Sequence, residues 1–157
     1  MGHASKKAMI KKLQHTNLEI AREMRAVFQV SYAVEAQLLN AVNFPPLQRP
    51  LKNYVESNTT FFGYYKNQEL AGVVEISHQK TATHINSLVV APKFFRQRVA
   101  KQLMEFVLTN FDSEIFTVET GLQNKPASKL YQKFNFKEVK QWDTDHGVRK
   151  IRFKLSR

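Results

Sequence analysis

Residues 84–106 read H-I-N-S-L-V-V-A-P-K-F-F-R-Q-R-V-A-K-Q-L-M-E-F. The apolar run 85–90 ends at Ala91-Pro92 and reads as a buried strand. Residues 95–98 make a basic turn. From Val99 onward, Val99, Leu103, Phe106 and Val107 fall on one helical stripe, with Lys101, Gln102 and Glu105 on the far side. No Ser, Thr, Asp or Asn stands where a side-chain cap belongs. An uncapped helix start leaves backbone N–H donors for an outside anion, and Arg96 and Arg98 add positive charge beside them. The same residues also suit a surface helix capped by water.

Outward from this unit the chain alternates strand and helix patterns. Residues 9–13 read as a first strand. Asn17 is an N-cap candidate for a long helix, or two helical pieces, reaching about Leu39. A short second helix follows Pro50. Residues 59–65 and 69–77 are rich in β-branched and aromatic residues around the turn Lys66-Asn67-Gln68. With residues 83–90 they form an expected antiparallel meander, entered through a loop at 78–82. Residues 115–118 form a short strand, parallel to 85–90 if the crossover is an ordinary βαβ unit. A helix starts at Asn124-Lys125-Pro126, with Ala127, Leu130, Tyr131 and Phe134 inward. Residues 137–142 and 148–155 close the chain as strands around Asp145-His146-Gly147.

The 157 residues suit a single domain over 1–157, with 1–7 as a flexible start outside its core. There is no cysteine, which excludes disulfides, thiolate metal sites and a cysteine nucleophile. The five His residues are dispersed, so no metal is expected. No Walker or G-x-G-x-x-G loop occurs. No apolar run approaches the roughly 18 residues of a membrane span, and no signal-peptide core precedes residue 8, which together make a cytoplasmic location the expectation. The net charge of +11 suits nucleic acid, an anionic surface or a polyanionic small molecule, or simply a basic surface.

Asn124 alone reads as an N-cap, and Tyr131 alone as a core aromatic. Their seven-residue spacing puts both on one helix face. That helix follows the strand beside residues 85–90, so a ligand lying between the two strands would meet both side chains.

L-V-V-A-P-K-F-F-R-Q-R-V-A-K resembles the coenzyme-A motif of the GNAT family of N-acetyltransferases. N-K-P-A-S-K-L-Y-Q-K-F-N-F resembles the family's second motif. The resemblance covers most of the chain in order. It implies an α/β acyl-CoA N-acyltransferase fold, a mixed central sheet of about six or seven strands flanked by about four helices. It implies transfer of an acetyl group from acetyl-CoA to a primary amine by direct attack in a ternary complex. The backbone of Leu88, Val89 and Val90 would pair with the pantetheine arm. The N–H groups of Arg96, Gln97, Arg98, Val99, Ala100 and Lys101 would hold the pyrophosphate. Asn124 would contact the coenzyme, and Tyr131 would protonate the departing thiolate. Phe95 stands where the family has Gln or Arg, Arg98 where it has Gly, and Asn135 where it has Gly.

A carboxylate can take the ammonium proton. Glu119 ranks first and Glu75 second, with His84 third. The acceptor is expected to be a small-molecule or peptide amine, and the protein a monomer or homodimer. Two alternatives carry their own predictions. A non-catalytic acyl-CoA sensor would bind the coenzyme without turnover, and a basic nucleic-acid-binding module would show affinity that falls steeply with salt.

Overall fold

The computed structural model describes residues 8–157; the expectation for residues 1–7 lies outside them. Along the chain come β1 (Ala8–Lys12), α1 (Leu18–Leu38), α2 (Leu51–Val55), β2 (Thr60–Lys66), β3 (Glu69–Gln79) and β4 (Ala82–Val90). Then follow α3 (Val99–Asn110), β5 (Ile115–Gly121), α4 (Lys125–Lys133), β6 (Lys137–Asp143) and β7 (Arg149–Ser156). The strands form one seven-stranded sheet in the order β1-β2-β3-β4-β5-β7-β6. Every pairing is antiparallel except β4 with β5. The mixed sheet with four helices is the expected fold class. Among the described residues no helix is long and apolar enough to cross a membrane.

α1 is one continuous helix. Asn17 caps it by accepting from the Ile20 N–H at 3.1 Å. Met24, Val27 and Phe28 are buried on its inner stripe, which packs against β3 and β4. Phe28, Tyr54 and Phe61 meet edge-on or tilted, joining α1, α2 and β2 in one aromatic cluster. β3 is buried on both faces from Leu70 to Ile76. A Cβ at Gly72 would come 2.7 Å from Val99 Cγ1 and 3.0 Å from the Val89 carbonyl. The absent side chain therefore lets the first turn of α3 settle directly on the sheet.

Two strands run past their expected ends. β3 and β4 continue through the region expected as a loop, leaving a tight turn at Lys80 (φ +36°) and Thr81. A bond of 2.7 Å between His78 Nδ1 and Thr83 Oγ1 ties the two strands there. β5 reaches Gly121 because β7 pairs with it over that length.

The feature that makes a site is a bulge in β4. Glu75 faces Ser87 and Ile76 faces Ile85, so Asn86 is an extra residue. A bulge bends its strand and increases the local twist. The parallel pairing of β4 with β5 stops at once, at Ile85 opposite Val118. Beyond that point the strands part, and the facing edge of β4 has no strand partner among the described residues.

Candidate active site

The Ala91 N–H donates to the Ala71 carbonyl at 2.9 Å. Antiparallel strands alternate bonded and non-bonded pairs, so Val89 is bonded to Val73 and directs its backbone into the sheet. Leu88 and Val90 point theirs into the gap. The Val90 N–H already meets Ser31 Oγ of α1 at 3.3 Å. Of the three residues expected to hold a pantetheine arm, Leu88 and Val90 therefore present a backbone edge to the gap, while Val89 spends its backbone on β3.

The start of α3 has no side-chain cap. Arg96 and Arg98 lie in the left-handed region, at φ +63° and +65°. Arg98 thus holds the conformation that suits a glycine, at a cost of about 1–2 kcal/mol for a residue with a Cβ. The first helical bond runs from the Gln102 N–H to the Arg98 carbonyl at 3.0 Å, leaving the N–H groups of Val99, Ala100 and Lys101 outside the helix ladder. The Gln97 side chain braces the turn instead of lining it, accepting from Lys66 Nζ and donating to the Lys93 carbonyl.

A groove of about 800 Å³ runs from this turn between β4 and α4. A smaller chamber of about 270 Å³ lies where β4 and β5 part, roofed by α1 and the loop at Phe44. Groove and chamber share Leu88, Ala127 and Tyr131. Tyr131 is buried, its ring 5.8 Å from Phe153 and 6.0 Å from Phe136. Burial raises its phenol above the ordinary range, and the charge of Glu35 adds to the effect, so the phenol keeps its proton.

Asn124 caps α4, accepting from the Ala127 N–H at 3.3 Å, and lines the chamber beside Glu35. Glu35 accepts from Thr120 Oγ1 at 3.4 Å. Burial raises the Glu35 carboxyl; the nearby Asn124 amide, the bond from Thr120 and the charge of Lys150 act the other way and offset only part. Sequence reasoning missed this residue. Its signal was present: Glu35 follows Met24, Phe28 and Tyr32 on the apolar stripe of α1, where a charged residue has no ordinary reason to sit.

The three base candidates are in different situations. Glu119 lines the chamber and lies 3.5 Å from Lys150 and 3.4 Å from Arg152. His84 does not line it; its Nδ1 meets Thr117 Oγ1 at 2.7 Å. Burial lowers the imidazole, with Glu119 opposing. Glu75 is 3% exposed and fully engaged. Arg49 donates to its two oxygens at 2.8 and 3.1 Å, Thr59 at 2.8 Å and Ser87 at 2.9 Å. Burial pushes this carboxyl up, yet the Arg49 bonds, then Thr59 and Ser87, hold it below the usual range. Both Glu75 oxygens are thus occupied and the group resists a proton, surroundings that suit a structural ion pair more than a base.

The family model described as Acetyltransferase (GNAT) domain matches residues 31–157. The UPF0157 protein YqkA of Bacillus subtilis (strain 168) is 35% identical over 141 residues, covering 89% of this chain and 41% of that protein. The chain thus spans about two-fifths of the length of this curated relative. The fold is similar to that of the ribosomal-protein-S18-alanine N-acetyltransferase from Escherichia coli, with TM-score 0.76, 17% identity, and coverage of 96% of this chain and 94% of that one. It is also similar to the PaiA N-acetyltransferase from Thermoplasma acidophilum in complex with coenzyme A, with TM-score 0.71, 17% identity, and coverage of 95% and 99%. The split between β4 and β5, the uncapped α3 and the matched profile lead to one assignment: the chain belongs to the GNAT acetyltransferase domain family.

Proposed function

We propose that the protein transfers an acetyl group from acetyl-CoA to a primary amine, as an enzyme of the cytoplasm. The observation that carries this reading is the meeting of two cavities at Tyr131. One is long, with free N–H groups and Arg side chains at its far end. The other is small and carries carboxylates. The groove fits a coenzyme A molecule: the unpaired N–H groups of residues 99–101 suit a pyrophosphate, and the open edge at Leu88 and Val90 suits an amide-bearing arm. Acetyl-CoA supplies the activated acyl group.

In this reading the amine nitrogen attacks the thioester carbonyl, a C–N bond forms and the C–S bond breaks. Tyr131 gives its phenolic proton to the leaving sulfur. Glu35 accepts the proton lost by the amine, a task suited to a carboxyl whose proton affinity burial has raised. Glu119, between Lys150 and Arg152, orients the incoming ammonium at the mouth of the chamber. The backbone of Leu88 and Val90 fixes the acyl carbon between these groups.

Thiol release from acetyl-CoA, followed over a panel of amines, tests the proposal. Tyr131→Phe should lower kcat by about 100-fold with coenzyme affinity unchanged. An unchanged kcat would remove Tyr131 from proton transfer. Calorimetric binding of coenzyme A with no turnover on any amine would favour an acyl-CoA sensor instead.

A further inference from the structure

The half-sheet of β5, β7 and β6 has two unlike faces. Ile151 and Phe153 of β7 are buried, Phe153 against Tyr131 of α4. Strand alternation sends Lys150, Arg152 and Lys154 to the opposite face. Directly opposite residues share a face, and here Trp142 faces Lys150, Lys140 faces Arg152 and Lys137 faces Lys154. Five cations therefore stand together. The carboxylate on the face is Glu119, opposite Arg152 on β5. Asp143 bonds Arg149 at 2.9 Å and Glu138 is opposite Phe153, so both belong to the other side. The exposed Asp145 lies in the turn beyond.

Like charges directly opposite each other weaken a sheet. The pairs Lys137–Lys154 and Lys140–Arg152 do so twice, and of these four cations Arg152 meets a carboxylate, Glu119 at 3.4 Å. The row also has a direction. Lys150 lines the chamber, and Arg152 and Lys154 lead away from it at the roughly 6.6 Å spacing of same-face residues in a strand.

We propose that this face binds a carboxylate-rich peptide segment, laid extended along β7 from the mouth of the chamber. An extended peptide has the same two-residue period, so acidic side chains at alternate positions match the row. Glu119 at its head suits a chain that carries an ammonium as well as carboxylates. A nucleic-acid strand fits less well: bases bind by stacking, and the Trp142 ring is already covered by Lys140 Nζ at 4.9 Å and Lys150 Nζ at 5.9 Å from its centroid. That the peptide's amine is the acetyl acceptor rests on the function proposed above; the docking does not.

Fluorescence anisotropy with labelled peptides that share one N-terminal residue and differ in acidic, neutral or basic residues downstream is the direct test. Three exposed pairs should make the acidic peptide bind about tenfold tighter than the neutral one, and salt should erase the gap. Lys137→Glu with Lys154→Glu should abolish the preference while neutral-peptide binding and thermal unfolding stay as in the parent. Lys12→Glu, at the far edge of the sheet, should leave the preference intact. Equal binding of acidic and neutral peptides would overturn the proposal. So would a single-stranded oligonucleotide that displaces the acidic peptide at lower concentration than unlabelled acidic peptide does. Preferential binding of acidic peptides with no acetylation of any of them would uphold the docking face and remove the docked peptide as the acetyl acceptor.

Discussion

Glu75 and Glu35 are two enclosed glutamates on either side of Tyr32, whose phenol burial raises and to which the charge of each adds. Their surroundings push them in opposite directions. Around Glu75, an Arg and two hydroxyls fill the carboxylate, and its proton affinity drops. Around Glu35, an amide and a hydroxyl at 3.4 Å are too little to offset burial, and its proton affinity rises. Burial is common to both; saturation is not. A saturated buried charge holds elements together, here tying β3 to Arg49 before α2 and to Ser87 in the bulged strand. An unsaturated one keeps capacity for a proton.

The largest effect should come from breaking the saturated cluster. Glu75→Gln leaves Arg49 facing a neutral partner in a site where it is only 19% exposed, and should cost about 3 kcal/mol of stability, read from the midpoint of urea unfolding. The folded fraction should keep its kcat. A stable variant without activity would restore Glu75 as the base.

Glu35→Gln should do the reverse. We expect kcat/KM to fall by about 100-fold near neutral pH. In the parent, activity should fade on acidification at a higher pH than an ordinary carboxylate would give, since the folded group has a raised pKa. A larger loss in Glu119→Gln than in Glu35→Gln would transfer the role to Glu119. Stability should also respond. A carboxyl whose folded pKa is raised contributes stability while protonated, and this is lost as pH rises from the unfolded value through the folded one. Glu35→Gln should therefore raise the thermal midpoint at about pH 8 and leave it unchanged at about pH 4.

The smallest effect concerns the link between the two. The Tyr32 hydroxyl donates to Ser87 at 3.2 Å, and Ser87 donates onward to Glu75. Tyr32→Phe should cost about 1 kcal/mol or less, because the bond is long and Ser87 keeps its other partner. A loss as large as that of Glu75→Gln would mean that the two regions form one network.

Much of this was legible from local patterns. The strand, basic turn and helix of residues 84–106 fold as their periods dictate, and the spacing of Asn124 and Tyr131 brings both to the parting of β4 and β5. What stayed hidden depends on long-range pairing. The bulge at Asn86 has no signature in sequence, and β4 and β5 stop pairing where it falls. Glu75 and Glu119 look alike as strand glutamates; only the approach of Arg49 from the segment before α2 separates them. Arg98 reads as a misfit for a glycine position, yet the surrounding loop holds it in the left-handed region without one.

Among the described residues β6 is the last strand of the sheet, so one row of its backbone groups has no strand neighbour. Such an edge invites pairing with another chain and seeds aggregation. β6 carries two safeguards, an irregularity between Glu138 and Lys140 that leaves Val139 half exposed, and the lysines at 137 and 140. The cations proposed to receive an acidic peptide thus also guard this edge against pairing with another chain. Neutralising them to alter selectivity would create a sticky edge, so redesign of this surface should exchange one charge for another rather than remove it.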